Sequence, residues 1–181
     1  FYISQKQWQK GAGVAGFSIL GSILFLVSFI ILPVFFVGAP HVPTPARVIR
    51  KAIELAQVSK DTRVVDLGAG DGRFLIAAGK AGASGLGYEI NPMLVWLTRW
   101  KIKRAYLQNR IQIKLGSFWN ADFSQYDVVF IYGITNIMKR LAEKLTRELK
   151  PGAKVIVYVF PLTNLKPAKE FKEDKIYLYE R

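Results

Sequence analysis

Hydrophobic and polar positions divide the 181-residue chain into two regimes. From Gly11 to Ala46 there is no Lys, Arg, Asp or Glu, and residues 13–37 are Val, Ile, Leu and Phe interrupted only by Gly, Ala, Ser and Pro33. After Pro45 the pattern breaks into short apolar runs alternating with amphipathic ones. Val48, Ala52 and Leu55, flanked by Ile49, Ile53 and Ala56, form a stripe at helical spacing, so a helix is expected with Thr44 as N-cap and Pro45 at its first position, reaching about Val58. Val64, Val65 and Leu67 read as a strand, and Phe74, Leu75 and Ile76 begin a helix. Further β runs cover Leu86–Tyr88, Ile111–Leu115, Asp127–Tyr132, Lys154–Phe160 and Ile176–Tyr179. Asn91-Pro92 opens a helix to about Gln108, and another spans Asn136 to Leu149, stopped by Pro151-Gly152.

Strands alternating with helices predict an α/β, Rossmann-like, mostly parallel sheet with helices on both faces and a site at the carboxyl ends of the strands. The N-terminal run exceeds the roughly 20 apolar residues that cross a bilayer. A single transmembrane helix over residues 13–37 is therefore expected, with Trp8 as interfacial anchor. A signal peptide has a shorter apolar core, of about 7 to 15 residues, and Pro40 spoils the cleavage site that Val37-Gly38-Ala39 would offer. Arg47, Arg50, Lys51 and Lys60 outnumber Lys6 and Lys10, which places the later residues on the cytoplasmic side. The expected organisation is an anchor over residues 1–39 and one catalytic domain over 40–181.

Candidate chemistry centres on Asp66-Leu-Gly-Ala-Gly-Asp-Gly-Arg73, where a strand meets a glycine turn and a helix. The third glycine of a dinucleotide fingerprint is replaced by Arg73, which weakens a pyrophosphate reading. Asp66 and Asp71 instead suit a cationic, hydroxyl-bearing ligand, and Glu89 follows at the spacing at which a βαβ unit offers an acid to a ribose diol. S-adenosylmethionine, with its ammonium, sulfonium and ribose, fits. Tyr132-Gly133, at the carboxyl end of the fourth strand, is where a methyl acceptor would meet it, with Tyr132 placed to orient an amine.

With these residues the chain resembles the seven-strand-type S-adenosylmethionine-dependent methyltransferases, and within them the small membrane-anchored protein-lysine methyltransferases of the ATP synthase c-ring protein and the adenine nucleotide translocase. The resemblance is carried by Val42-Pro-Thr-Pro45, Asp66 to Arg73, Gly87-Tyr-Glu-Ile-Asn-Pro92, Phe123-Ser-Gln-Tyr126, Lys144-Leu-Thr-Arg-Glu-Leu149 and Phe160-Pro161. It implies a cofactor site at Asp66, Gly68, Ala69, Gly70, Asp71, Glu89, Ile90, Asn91, Ser117 and Phe118, with Thr44 and Tyr132 as catalytic positions. The chain departs from the family where Asp-Leu-Trp-Lys becomes Ser117-Phe118-Trp119-Asn120, which removes an acid otherwise available to the adenine amine.

Cysteine is absent and His41 is the single histidine, so thiolate chemistry is excluded and a catalytic metal is not expected. Net charge is +13, and no acid lies between Glu89 and Asp122, where Arg99, Lys101, Lys103, Arg104, Arg110 and Lys114 fall. Such a surface seeks anions, in a bilayer or in nucleic acid. Enzymes that methylate base amines often carry Asn- or Asp-Pro-Pro-aromatic after the fourth strand, and Tyr132-Gly133-Ile134-Thr135 disfavours that use. The expected partners are the bilayer and a membrane protein with an interfacial lysine; a lipid or other small-molecule acceptor stays open as the alternative.

Overall fold

The computed structural model describes residues 20–22, 24–26, 28, 42–133 and 135–181. The chain divides into two compact units, Phe1–Pro40 and His41–Arg181. In the first, residues 20–22, 24–26 and 28 are helical, and most of the expected 13–37 span, like His41, lies outside the described residues. Among those described, no helix is long and apolar enough to cross a membrane.

The second unit is built in the order α1 (Ala46–Ala56), β1 (Arg63–Leu67), α2 (Arg73–Lys80), β2 (Ser84–Glu89), α3 (Pro92–Arg104), β3 (Ile111–Leu115), a 3-10 turn (Phe118–Asn120), β4 (Val128–Ile131), α4 (Thr135–Glu148), β5 (Lys154–Tyr158), β6 (Lys169–Phe171) and β7 (Ile176–Glu180). The sheet runs β3-β2-β1-β4-β5-β7-β6, and only β7 opposes the direction of its neighbours. The chain winds outward to β3 and returns to β4, so the connections leaving the carboxyl ends of the paired strands β1 and β4 run in opposite directions, and the switch point at which such sheets bind ligands lies there.

Period-2 alternation assigns the strand residues to two faces. Val64, Phe130, Ile156 and Leu178 pack with Val48, Ile49 and Ala52 of α1, Phe74 and Leu75 of α2, and Val95 and Ile102 of α3. Val65, Val129 and Val155 pack with Met138, Leu141 and Leu145 of α4 and with Phe123 and Tyr126. Two motif pieces distant in sequence meet on this second face. The Lys144 ammonium donates to the Ala121 carbonyl at 2.7 Å, pairs with Glu148 at 2.7 Å and stands 4.9 Å from the Phe123 ring centroid.

Several boundaries differ from expectation. Pro45, not Thr44, is the N-cap of α1, without a side-chain cap, and Gln57 in the left-handed region ends it at Ala56. Helix α3 stops at Arg104, short of Gln108, and Tyr106 turns the chain with φ 58°. Val159, at φ 75°, ends β5 before Phe160. The short exposed strand β6 has too few apolar residues to register as a period-2 pattern.

Candidate functional site

The carboxyl ends of β1 and β2 bring two acids to one face of the sheet. Asp66 lies two residues after Val64 and pairs in register with Gly87, and Glu89 lies two residues beyond Gly87, so alternation turns both toward the side covered by α1 and α2. Gly87 lets that side close up: a Cβ there would lie 2.5 Å from Leu75 Cδ1 and 2.7 Å from Ala69 Cβ. Phe74 of α2 stacks on Phe130 of β4 with ring centroids 4.4 Å apart, which fixes the helix after the glycine turn.

Backbone groups hold Glu89 in place. Its Oε2 accepts from the Gly70 N–H at 2.9 Å and its Oε1 from the Asn91 N–H at 2.8 Å. Each oxygen keeps a second lone pair for a ligand. Asn91 also caps α3, its Oδ1 accepting from the Met93 N–H at 2.9 Å, and the Gly116 N–H donates to the Glu89 carbonyl at 2.8 Å. The Gly70 carbonyl accepts from the hydroxyl of buried Thr98 at 2.9 Å. At the tip, Gly68 has φ 87° and is exposed, and a Cβ built on it would meet nothing within 4 Å. A ligand can therefore lie directly against the main chain there.

Asp66 is 3% exposed, and burial first, then the charges of Glu89 and Asp71, raise its carboxyl well above the ordinary carboxylate range. No hydrogen bond from the described residues offsets this. A buried acceptor in that condition matches a ligand that brings its own donor and positive charge, as an S-adenosylmethionine ammonium does. A raised carboxyl is protonated over a range of pH where a free Asp is not, and a cation against it favours ionisation. Cofactor binding is thus expected to release up to about one proton and to strengthen as pH rises toward the carboxyl's value in the free protein. Calorimetry in buffers of different ionisation enthalpy measures this; proton release that persists unchanged in Asp66→Asn would exclude Asp66 as its source.

Asp71 has partners other than those expected of a ligand-facing acid. Its Oδ2 accepts from Lys101 Nζ at 2.7 Å and from Arg73 Nε at 2.9 Å. Burial pushes the carboxyl up, but these bonds and charges outweigh it and hold it below the usual value. Arg73 also donates to the Thr44 carbonyl at 3.2 Å, so Thr44, Arg73, Asp71 and Lys101 tie the segment before α1 and helix α3 to the turn. Both cations are partly exposed, and such pairs are worth about 0 to 1 kcal/mol. With two such pairs lost, Asp71→Asn is expected to cost no more than about 2 kcal/mol in thermal unfolding and to change cofactor affinity less than loss of Glu89 does.

At the carboxyl end of β4, which is the neighbour of β1, Tyr132 meets Tyr158 of β5 edge-on, with ring centroids 4.7 Å apart. Burial, and then Tyr158, raise the Tyr132 phenol, which therefore stays neutral near pH 7. Ile90 is exposed beside Glu89, and exposed Ser117 caps the 3-10 turn by accepting from the Trp119 N–H at 3.3 Å, with half-buried Phe118 following. Thr98 and Lys101 belong to no sequence motif, and the single signal for either is that Thr98, though polar, is spaced with buried Val95 and Ile102.

Residues 66–169 match the ANTKMT methyltransferase domain. Over 179 residues the chain is 32% identical to a Xenopus laevis lysine N-methyltransferase of the ATP synthase C-subunit, covering 97% of this chain and 79% of the relative. It is 36% identical over 148 residues to a protein-lysine N-methyltransferase of Saccharolobus islandicus, covering 77% of this chain and 92% of that one. Among solved structures, a Salinibacter ruber protein described as an RNA methyltransferase, in complex with S-adenosyl-L-homocysteine, superposes with TM-score 0.73 at 34% identity, over 77% of this chain and 93% of that chain.

Proposed function

Because the chain belongs to the ANTKMT methyltransferase domain family and is an S-adenosylmethionine-dependent methyltransferase, we propose that its acceptor is the side-chain amine of a lysine on a membrane protein, presented at the bilayer surface. The observation that carries the lysine reading is the likeness, across 77% and 97% of the chain, to two lysine N-methyltransferases from an archaeon and a frog. When bound, S-adenosylmethionine supplies the electrophilic methyl of its sulfonium. In this reading Glu89 holds the ribose hydroxyls, Asp66 the ammonium, and Gly68, Ala69 and Gly70 the main-chain side of the ligand, with Ile90, Asn91, Ser117 and Phe118 toward its adenine.

A lysine amine, with an ordinary pKa of about 10.4, must be neutral to attack. Half-buried surroundings, as at Tyr132 and Tyr158, favour the neutral form. In this reading the neutral Tyr132 phenol orients that amine rather than serving as its base, and Thr44, whose carbonyl accepts from Arg73, is the second position assigned to the acceptor. Tyr132→Phe is expected to lower kcat roughly tenfold, the worth of one hydrogen bond, while cofactor affinity stays unchanged. Equal losses in both would assign Tyr132 to cofactor binding.

The membrane assignment rests on the apolar run. About six residues separate Val37 from Thr44, so a bilayer-spanning run would keep the domain within roughly 20 Å of the headgroups. Confinement of that kind raises the effective concentration of membrane targets, often into the millimolar range. The basic excess after Ala46 favours the cytoplasmic side. An RNA acceptor is the second reading, favoured by the description of the Salinibacter structure and by the +13 charge. Incubation of the full chain with membranes, RNA and methyl-labelled S-adenosylmethionine separates the cases: label on protein-bound lysine after hydrolysis supports the proposal, and label confined to RNA or to lipid extract overturns it.

A further inference from the structure

Helix α3 is apolar on two opposite sides. Val95, Thr98 and Ile102 are buried against the sheet. Met93, Trp96 and Trp100 are 56%, 66% and 50% exposed. At 3.6 residues per turn these three lie within about 60° of one another and point away from the sheet. Single exposed apolar residues are ordinary, but two tryptophans and a methionine in one stripe form a patch that marks a binding surface. Arg99 and Lys103 flank the stripe on one side, and Arg104 stands 5.3 Å from the Trp100 ring centroid on the other. All three cations are exposed, and the chain has no acid from Ile90 to Ala121.

We propose that the outer face of α3 docks in the plane of an anionic bilayer, with Met93, Trp96 and Trp100 inserted among the headgroups and Arg99, Lys103 and Arg104 paired with lipid phosphates. Charge complementarity selects this occupant. A stripe of large amphipathic rings bordered by cations and devoid of acids matches the interface of an anionic leaflet, where Trp is enriched and each nearby basic residue adds attraction. The helix begins three residues after Glu89, so docking would set the rim of the cofactor site at lipid depth. The surface belongs to residues 93–104, apart in sequence from the N-terminal apolar run, and the proposal holds for any acceptor at a membrane, lysine or lipid.

The test uses the full chain carrying Trp8→Phe and Trp119→Phe, so that Trp96 and Trp100 alone report. The chain is mixed with vesicles of phosphatidylcholine and phosphatidylglycerol, the latter with brominated acyl chains, and flotation is measured alongside. Docking gives a blue-shifted emission that the bromines quench. The quenching should fall at about 1 M ionic strength, where screening shortens to about 3 Å. In an Arg99→Glu, Lys103→Glu, Arg104→Glu variant, the apparent affinity of this face for the vesicles should drop roughly a hundredfold. Chains that float yet stay unquenched would overturn the docking face while leaving an anchored enzyme intact. Equal quenching by purely zwitterionic brominated vesicles would overturn the anionic assignment. A concentration-dependent blue shift without lipid would give the face to a second copy of the chain instead. Methylation of lysine is read separately by hydrolysis, so its failure is distinct from failure of docking.

Discussion

In a Glu89→Ala variant, S-adenosylmethionine binding is expected to weaken at least ten- to a hundredfold while the domain remains folded. A charge-assisted hydrogen bond is worth about 1.5 to 3 kcal/mol, and each 1.4 kcal/mol is a factor of ten in affinity. Here the loss has two sources. The ribose loses its acceptor, and the Gly70 and Asn91 N–H groups lose the carboxylate that joins the glycine turn to the start of α3. Glu89→Gln separates them, because an amide keeps an oxygen for one of those N–H groups but no charge for the ligand. Titration calorimetry on both variants reads the split. Unchanged affinity in folded Glu89→Ala would remove Glu89 from the site.

The second large effect is expected from Gly87→Val. A Cβ at this position would approach Leu75 Cδ1 to 2.5 Å and Ala69 Cβ to 2.7 Å, closer than carbon atoms pack. Leu75 can shift its side chain, but the Ala69 methyl is fixed to the main chain of the turn, so relief must move the turn itself. Overpacking of this kind costs about 1 to 3 kcal/mol. At about 2 to 4 °C for each kcal/mol in a chain of this size, Tm should fall by roughly 2 to 12 °C. Cofactor affinity should fall with it, because the displaced atoms are those a ligand lies against. A Gly87→Val protein with wild-type Tm and affinity would show that the turn does not need this close approach.

The strand-turn-helix unit and its second acid were legible in the sequence because each is set by local chemistry. Val64, Val65 and Leu67 specify a strand, the glycines specify the turn, and the distance from Asp66 to Glu89 is that of one βαβ crossover. Asn91-Pro92 likewise names its own helix cap. Partner choice was not legible. Asp71 and Asp66 look alike in the sequence, yet one is engaged by Lys101 from thirty residues away and the other has no hydrogen-bonded partner among the described residues. Helix α3 illustrates a second limit: with apolar residues on both sides, periodicity cannot say that Val95 and Ile102 face inward while Trp96 and Trp100 face out. Thr44 and Pro45 point to the right helix but one residue early, since proline serves either as the first helical residue or just outside it.

The two backbone bonds on Glu89 also bear on how quickly a ligand is captured. A loop that must fold over its ligand gives up conformational freedom at that moment, about 1 to 2 kcal/mol for each residue ordered. Here Gly70 and Asn91 are already tied to the acid, so that entropy is lost once, during folding, and not again at every encounter. Association is then governed by diffusion and orientation, and affinity changes among nucleoside analogues should show mainly as differences in residence time. The amide hydrogens of Gly70 and Asn91 should exchange slowly with and without the ligand, the signature of a receptor shaped before its guest arrives.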